Sequence, residues 1–376
     1  MVPSSSSLWS PISGGITSPL GFEASGIKAG LKTSGKSDLA LVLAPKGAVC
    51  AGTFTQSSVK AACIDLCKKR LKNNCGQARA VLINSGQANA CTGDRGLIDS
   101  ERATKAVADR LGLLETEILM TSTGVIGEVI PIQKLVDGVD PLVAELSHDG
   151  GRNAARAILT TDLVQKEIAF EAYLGDRRVR IGGMAKGSGM IHPDMATMLA
   201  YISCDVGVSA EIWSKMLKKV ANCSFNAISV DGDTSTNDSF IGFAAGETLE
   251  DQYLDELEIG LLKTSQYLAK AIARDGEGAN CLIEVQVEGT SNSTEARHIA
   301  KTICSSSLVK TAIHGKDPNW GRIVAALGRS GIMISPQDLC LYIGSYELIH
   351  MGKLKTFNRQ KVSDYMQKRF EGDYLI

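Results

Sequence analysis

The chain has 376 residues, 44% apolar and 22% charged, which suits one large or two medium globular domains. A formal net charge of −1 gives no bulk electrostatic basis for binding nucleic acid or an anionic membrane. No apolar run is long enough to span a bilayer, so neither class of partner is expected.

In chain order, the opening "MVPSSSSLWSPISGG" lacks the basic start and apolar core of a secretion signal and the Arg-rich pattern of a transit peptide. A cytoplasmic protein is therefore expected. "GLKTSGKS" (30–37) matches the phosphate-loop pattern G-x-x-x-x-G-K-[ST] letter for letter. A working phosphate loop follows a buried strand and opens a helix. Here the preceding "GFEASGIKA" does not read as a buried strand and "DLALVLA" (38–44), which follows, does read as a strand, so the match is rejected and a turn into a strand is predicted. "RAVLIN" (79–84) is a second buried strand, and "SERATKAVADRLG" (100–112) has a helical period. A helix starting at Ser209 carries Ile212, Met216, Leu217 and Val220 on one side. Another covers about 253–274 and stops before "DGEGAN". "IEVQVE" (283–288) alternates, which predicts a strand with one wet face. No internal repeat is visible. The mixture gives an α/β or mixed α+β class of layered sheets and helices.

Three further features carry little chemistry by themselves. "DGDTSTND" (231–238) lacks the central Gly and closing Glu of a calcium loop and reads as a turn. His192 has no partner at a fixed spacing, which favours a packing or loop-ordering role. The ten cysteines form no C-x-x-C, and no His stands at ligand spacing beside them, so no metal is expected and buried free thiols are.

"GMAKGSGMIHPDMATMLAYISCD" (183–205) is different: glycines precede a small Ala, a Thr and an apolar run. Breaking the Ala196–Thr197 bond would give Thr197 a hydroxyl nucleophile and a free α-amine together. The amine, with a reference pKa of about 7.7–8.0, can take the hydroxyl proton directly or through a water. The glycines would allow the strained turn that an N-to-O acyl shift requires. The competing reading is a core strand with Thr at its edge.

"KGSGMIHPDMATML" closely resembles the self-cleavage motif of the ornithine acetyltransferase family, the glutamate N-acetyltransferases of the cyclic arginine pathway. "GGITSPLGFEASGIKAGLK", "AGTFTQ", "INSGQANACTG", "TSTGVIGE", "LTTDLVQK", "VDGDTSTND", "RDGEGANCLIEV" and "DPNWGRI" resemble that family's segments in its order, from about Trp9 to the mid-360s. The resemblance implies a single acetyltransferase unit over 1–376, self-cleaved into an α chain of 1–196 and a β chain of 197–376, with Thr197 as nucleophile. It implies Thr123 and Gly124 as the oxyanion hole; from the residues alone "TSTGVIG" reads as a glycine turn after the strand-like "EILM". It implies Lys186 and Glu277 as substrate ligands, against bland readings as a solvated loop lysine and an exposed loop acid. A Thr of "TTD" is also implied, with Thr161 favoured over Thr160.

The implied reaction moves an acetyl group from N2-acetylornithine through acetyl-Thr197 to glutamate, with no metal or organic cofactor, and with acetyl-CoA as a second donor in some members. The implied fold is the self-processing aminopeptidase and acyltransferase type, β-sheets between helical layers with a smaller C-terminal lobe, assembled as two α/β pairs. Two departures stand out. Asp194 replaces the family's Asn, and this chain stops at Ile376, before the strand and the Asn and Ser/Thr ligands with which the family ends. A C-terminal segment is therefore expected to be lacking. The rival readings are a related self-cleaving aminopeptidase or amidase, which passes the acyl group to water, and an inactive truncated remnant.

Overall fold

The computed structural model describes residues 8–192 and 198–370. The chain forms two compact units, one of the residues up to Asn226 with Asp233–Glu277, the other of Ala227–Gly232 and the chain from Gly278 on. The first unit runs β1 (Ser10–Ile12), β2 (Glu23–Ile27), β3 (Leu39–Leu43), β4 (Val49–Phe54), α1 (Ala62–Asn73), β5 (Ala80–Gln87), α2 (Gly93–Leu111) and β6 (Ile118–Val125). It continues with α3 (Ile132–Asp137), α4 (Val139–Ala144), α5 (Gly151–Ala157), β7 (Lys166–Leu174), β8 (Arg177–Lys186), β9 (Leu199–Cys204), α6 (Ala210–Asn222), β10 (Ser239–Ala244) and α7 (Leu254–Arg274).

Two sheets organise this unit. One has the order β1-β7-β8-β9-β10-β4 and the other β2-β3-β5-β6. β5 and β6 are parallel, as are β9 and β10. β3 lies between β2 and β5, and Leu39, Ala40, Leu41 and Val42 are fully buried. A strand covered on both faces needs the unbroken apolar run that "LALVL" supplies. A single apolar cluster draws on both sheets, including Leu82, Met184, Tyr201 and Phe243. The Thr121 and Tyr201 hydroxyls, 2.5 Å apart, tie β6 to β9 inside it. Helices cover the outer faces: α1, α2 and α5 pack on the four-stranded sheet, and α6 and α7 on the six-stranded one. This is the α/β arrangement of sheets between helices.

Most predicted elements form. α6 begins after Ser209, whose Oγ accepts the Ile212 amide at 3.3 Å. Its fully buried anchor is Trp213, while Ile212 is only half-buried. α2 begins at Gly93, seven residues before the predicted start at 100, because Gly96 lets the first turn close on its neighbours. A Cβ there would stand 2.6 Å from Asn89 Oδ1, and Asn89 Nδ2 donates to the Gly96 carbonyl at 3.0 Å. The reading of "TSTGVIG" as a turn is corrected, since β6 continues through Thr123 and Gly124 by pairing with β5. Gly183, one of the glycines expected to allow a turn before Thr197, is a strand residue of β8. "GFEASGIKA", not expected to hold a buried strand, forms β2 with Ala24 and Ser25 buried, because it pairs with β3.

The second unit holds α8 (Ser293–Cys304), α9 (Ser307–His314), α10 (Trp320–Gly328), a sheet of β11 (Leu341–Ile343), β12 (Tyr346–His350) and β13 (Lys353–Leu354), and α11 (Arg359–Phe370). It has its own core, with Ile299, Ile303, Ile323, Ile343 and Leu348 buried together. Asn292, Ser306 and Asn319 cap its first three helices through their side chains. Among the described residues no ladder runs through 283–288, where a strand was predicted. The alternation survives as packing: Ile283, Val285 and Val287 lean on this core. Among the described residues no helix is long and apolar enough to cross a membrane.

Candidate active site

A cavity of about 600 Å³ opens in the first unit where β5, β6 and β8 end and β9 begins. β5 and β6 reach it in parallel register, Ser85 beside Thr123 and Gly86 beside Gly124. Gly86 and Gly124 have φ of +131° and +135°, and a Cβ on Gly124 would lie 2.2 Å from the Gly86 carbonyl. Only glycine permits that approach.

β8 delivers Lys186 as its last residue, paired with Leu199 of β9. The side chain is buried, so it is not a solvated loop lysine. Its Nζ donates to Thr160 Oγ1 at 2.6 Å and to Thr123 Oγ1 at 3.4 Å, and lies 3.8 Å from Asp162. Burial lowers its pKa, an effect that Asp162 opposes and Lys166 reinforces. Glu277, exposed on the loop after α7, also lines the cavity. Its amide donates to the Ser188 carbonyl at 2.7 Å, and the Ser188 hydroxyl bonds Thr161 Oγ1 at 2.6 Å. A Cβ on Gly189 would meet the Glu277 carboxyl at 2.5 Å, so a glycine there keeps the acid at the cavity wall.

Thr123, Gly124, Thr160, Thr161, Lys186 and Glu277 therefore line one cavity. Thr160 and Thr161 both belong to it, one bonded to Lys186 and the other to Ser188. Thr197, Ala196 and Asp194 lie outside the described residues. Met190 and Met198, one on each side of that stretch, both line the cavity.

Sequence reasoning missed Lys32, Gln87 and Asn237, which also line it. Lys32 sits in the rejected phosphate-loop match. Asp38 accepts the amides of Ala29, Leu31 and Lys32, which folds "GLKTSGKS" into a turn before β3. That turn is part of the cavity wall, where a plain connector was expected. The Lys32 ammonium donates to the Leu159 carbonyl at 2.6 Å, and burial, helped by the neighbouring Lys186 charge, lowers its pKa to about 8 against the pull of Asp38. Asn237, near the end of "DGDTSTND", donates to the Ala88 and Ser122 carbonyls at 2.5 and 2.8 Å and so ties the end of β5 to the middle of β6. That turn has a positional task that its composition does not advertise. The Thr234 hydroxyl donates to the His192 carbonyl at 3.0 Å, in keeping with a loop-ordering place for that residue.

All ten cysteines are free thiols, but Cys75, Cys91 and Cys340 are exposed, which corrects the expectation that they are buried. Burial pushes Cys63 up to about 11 and Cys67 to about 12, so those two are inert thiols. In the second unit the ligand atoms of Cys340, Glu347 and His350 lie within 4.8 Å of one another. The Glu347 carboxylate already accepts from Lys355 Nζ at 2.7 Å, Tyr342 Oη at 2.8 Å and His350 Nδ1 at 2.7 Å. Those hydrogen bonds hold it down at about 2. A carboxylate so occupied, with an ammonium against it, has little to offer a dication, and the trio is a polar surface network.

The model of the ArgJ family matches residues 23–371. The arginine biosynthesis bifunctional protein ArgJ of Prochlorococcus marinus strain MIT 9313 is 63% identical over 369 residues, which are 98% of this chain and 86% of that protein. Its namesake in Synechococcus sp. strain ATCC 27144 is 52% identical over 373 residues, 98% of this chain and 90% of its own. A crystal structure of ornithine acetyltransferase complexed with ornithine, from Mycobacterium tuberculosis, is 40% identical and covers 50% of this chain and 99% of its own, with a TM-score of 0.47. By the extent of the family match and of these identities, the chain belongs to the ArgJ family.

Proposed function

We propose that this chain is an acetyltransferase of arginine biosynthesis that moves the acetyl group of N2-acetylornithine to glutamate through an acetyl-Thr197 intermediate. The observation that carries the reading is one cavity holding a buried cation, Lys186, and an acid, Glu277, together with Thr123 and Gly124. Substrates of this reaction carry an α-carboxylate and an amine, and the two charges suit those groups. The relatives are named for bifunctional arginine biosynthesis.

In the proposed mechanism the chain first cleaves itself between Ala196 and Thr197. The Thr197 hydroxyl then attacks the acetyl carbonyl while the new α-amine takes its proton. The Thr123 hydroxyl and the Gly124 amide stabilise the oxyanion. The amide C–N bond breaks, and ornithine leaves with that proton on its amine. The glutamate amine then attacks the acetyl ester, and Thr197 recovers its hydroxyl. Lys186 holds a carboxylate and disfavours a second positive charge on the α-amine beside it. The scheme needs no metal or organic cofactor and allows acetyl-CoA as an alternative donor. β8 and β9, on either side of the cleavage position, share a sheet, which supports an α/β pair that stays together. Pairing of two such units and a cytoplasmic location complete the reading, the latter supported by ten free thiols.

The test is intact mass under denaturing conditions, with sequencing of the new N-terminus, followed by an assay with N2-acetylornithine and glutamate. Two pieces, one starting at Thr197, and formation of N-acetylglutamate with ping-pong kinetics are expected. Thr197→Ala is expected to remain one chain and to transfer nothing. Release of acetate in place of N-acetylglutamate would favour a hydrolase, and an uncleaved, inactive wild type a remnant.

A further inference from the structure

Lys166 opens β7 with its side chain fully buried. Its Nζ lies 2.7 Å from Asp162 Oδ1 and 2.6 Å from Asp275 Oδ2, and also donates to the Val164 carbonyl at 3.3 Å. Neither acid is a bystander. Asp162 accepts the Gly187 amide at 2.6 Å and the Thr160 amide at 3.1 Å, and stands 3.8 Å from the Lys186 ammonium. It therefore holds the backbone on both sides of the Lys186–Thr160 contact. Asp275 caps α7, accepts the Leu163 amide at 3.1 Å, and lies two residues before Glu277.

The geometry points to Lys166 as a positioning residue that fixes the spacing between the cationic and anionic walls of the cavity. Through Asp162 it sets the place of Lys186 and Thr160, and through Asp275 the start of the loop that carries Glu277. An amino-acid substrate offers its carboxylate and its amine at a fixed separation, so a site that reads both charges needs the walls locked to one another. Two carboxylates joined by one buried ammonium do this without an exposed, adaptable contact. The inference rests on the reading of Lys186 and Glu277 as the substrate's charge partners.

Lys166→Met alone would take the ammonium away from the buried Asp275, and its failure to fold would say nothing about positioning. The test therefore uses Asp275→Asn, which retains the Lys166–Asp162 pair, and the double variant Lys166→Met/Asp275→Asn, which leaves Asp162 paired with Lys186. Crystal structures of both should show the Glu277 loop displaced; only the double variant should also separate Lys186 Nζ from Thr160 Oγ1. In acetyl transfer, KM for the amino-acid substrates should rise about tenfold or more, with a smaller change in kcat. A purely structural role would lower the melting temperature and leave both contacts and KM as they are, and that result overturns the proposal. If the wild type transfers no acetyl group, the functional reading fails, while the crystallographic distances still decide whether Lys166 positions the two walls.

Discussion

At single residues, the cavity makes demands that identify which side chains can change. Gly124→Ala places a Cβ against the Gly86 carbonyl at a φ that L residues resist. In the proposed mechanism Gly124 is an oxyanion donor; losing one typically costs about a hundredfold or more in kcat, and steady-state kinetics should show at least that. A variant within twofold of wild type would mean that the ends of β5 and β6 yield. Lys32 makes a sharper test because its pKa sits at about 8. As pH rises through that value the cavity loses a cation, so KM for a carboxylate substrate should climb, and Lys32→Met should abolish that dependence. The sign for stability is opposite. A lysine lowered from 10.5 to about 8 by folding binds fewer protons in the folded state across that window. Its contribution to stability therefore grows with pH there. Loss of binding without loss of stability separates this effect from alkaline denaturation. Asp162 has the same slope from a different balance: burial pushes it up, the Lys186 and Lys166 ammoniums outweigh that, and it ends below the usual carboxylate range. Its stabilisation is present above about pH 4 and is lost as pH falls through the folded value, so Asp162→Asn should flatten the acid limb of a denaturation curve.

Among the elements, local signals were legible where local chemistry decides. Ser209 announces α6 because a side-chain oxygen satisfies an otherwise orphaned amide, and Ser209→Ala should cost about 1 kcal/mol. Trp213 was passed over because the helical stripe was traced through Ile212; which of the two neighbours reaches the core depends on how the helix sits on β10. There Trp213 Nε1 donates to the Gly242 carbonyl at 2.9 Å, and a Cβ on Gly242 would meet the indole at 3.1 Å. Truncating Trp213 to Ala should cost about 3–5 kcal/mol, measured by denaturant unfolding. The glycines misled in the same way. Gly96, Gly124 and Gly183 look like breakers in one dimension, yet each lies inside an element and makes room for a packed neighbour, which for Gly124 and Gly183 is distant in sequence. The alternation of "IEVQVE" was read as a ladder because periodicity reports which side is apolar and not what the backbone bonds to.

For the whole molecule, the sheet and the apolar cluster bridge the proposed cleavage position. β8 pairs with β9 from Ile181–Cys204 to Lys186–Leu199, and Met184 packs in the same cluster as Leu199, Tyr201 and Phe243. The two pieces made by cleavage should thus co-migrate in native mass spectrometry and part only on denaturation; separation under native conditions would contradict the shared core. The sequence by itself determined the alternation of strands and helices, because buried strands and amphipathic helices are written in hydrophobic period. Through its ordered motifs it also pointed to the family and to Thr123, Gly124, Thr161, Lys186 and Glu277, which meet in the cavity. The tertiary structure alone decided that a rejected phosphate-loop turn supplies Lys32 to the cavity and that Asn237 ties the end of β5 to β6. It also decided that Lys166 joins the acids beside Lys186 and before Glu277. Apart from the Lys166–Asp162 pair, four residues apart, these are contacts between segments far apart in the chain, and no local pattern of residues encodes which distant carboxylate or carbonyl a buried donor will meet.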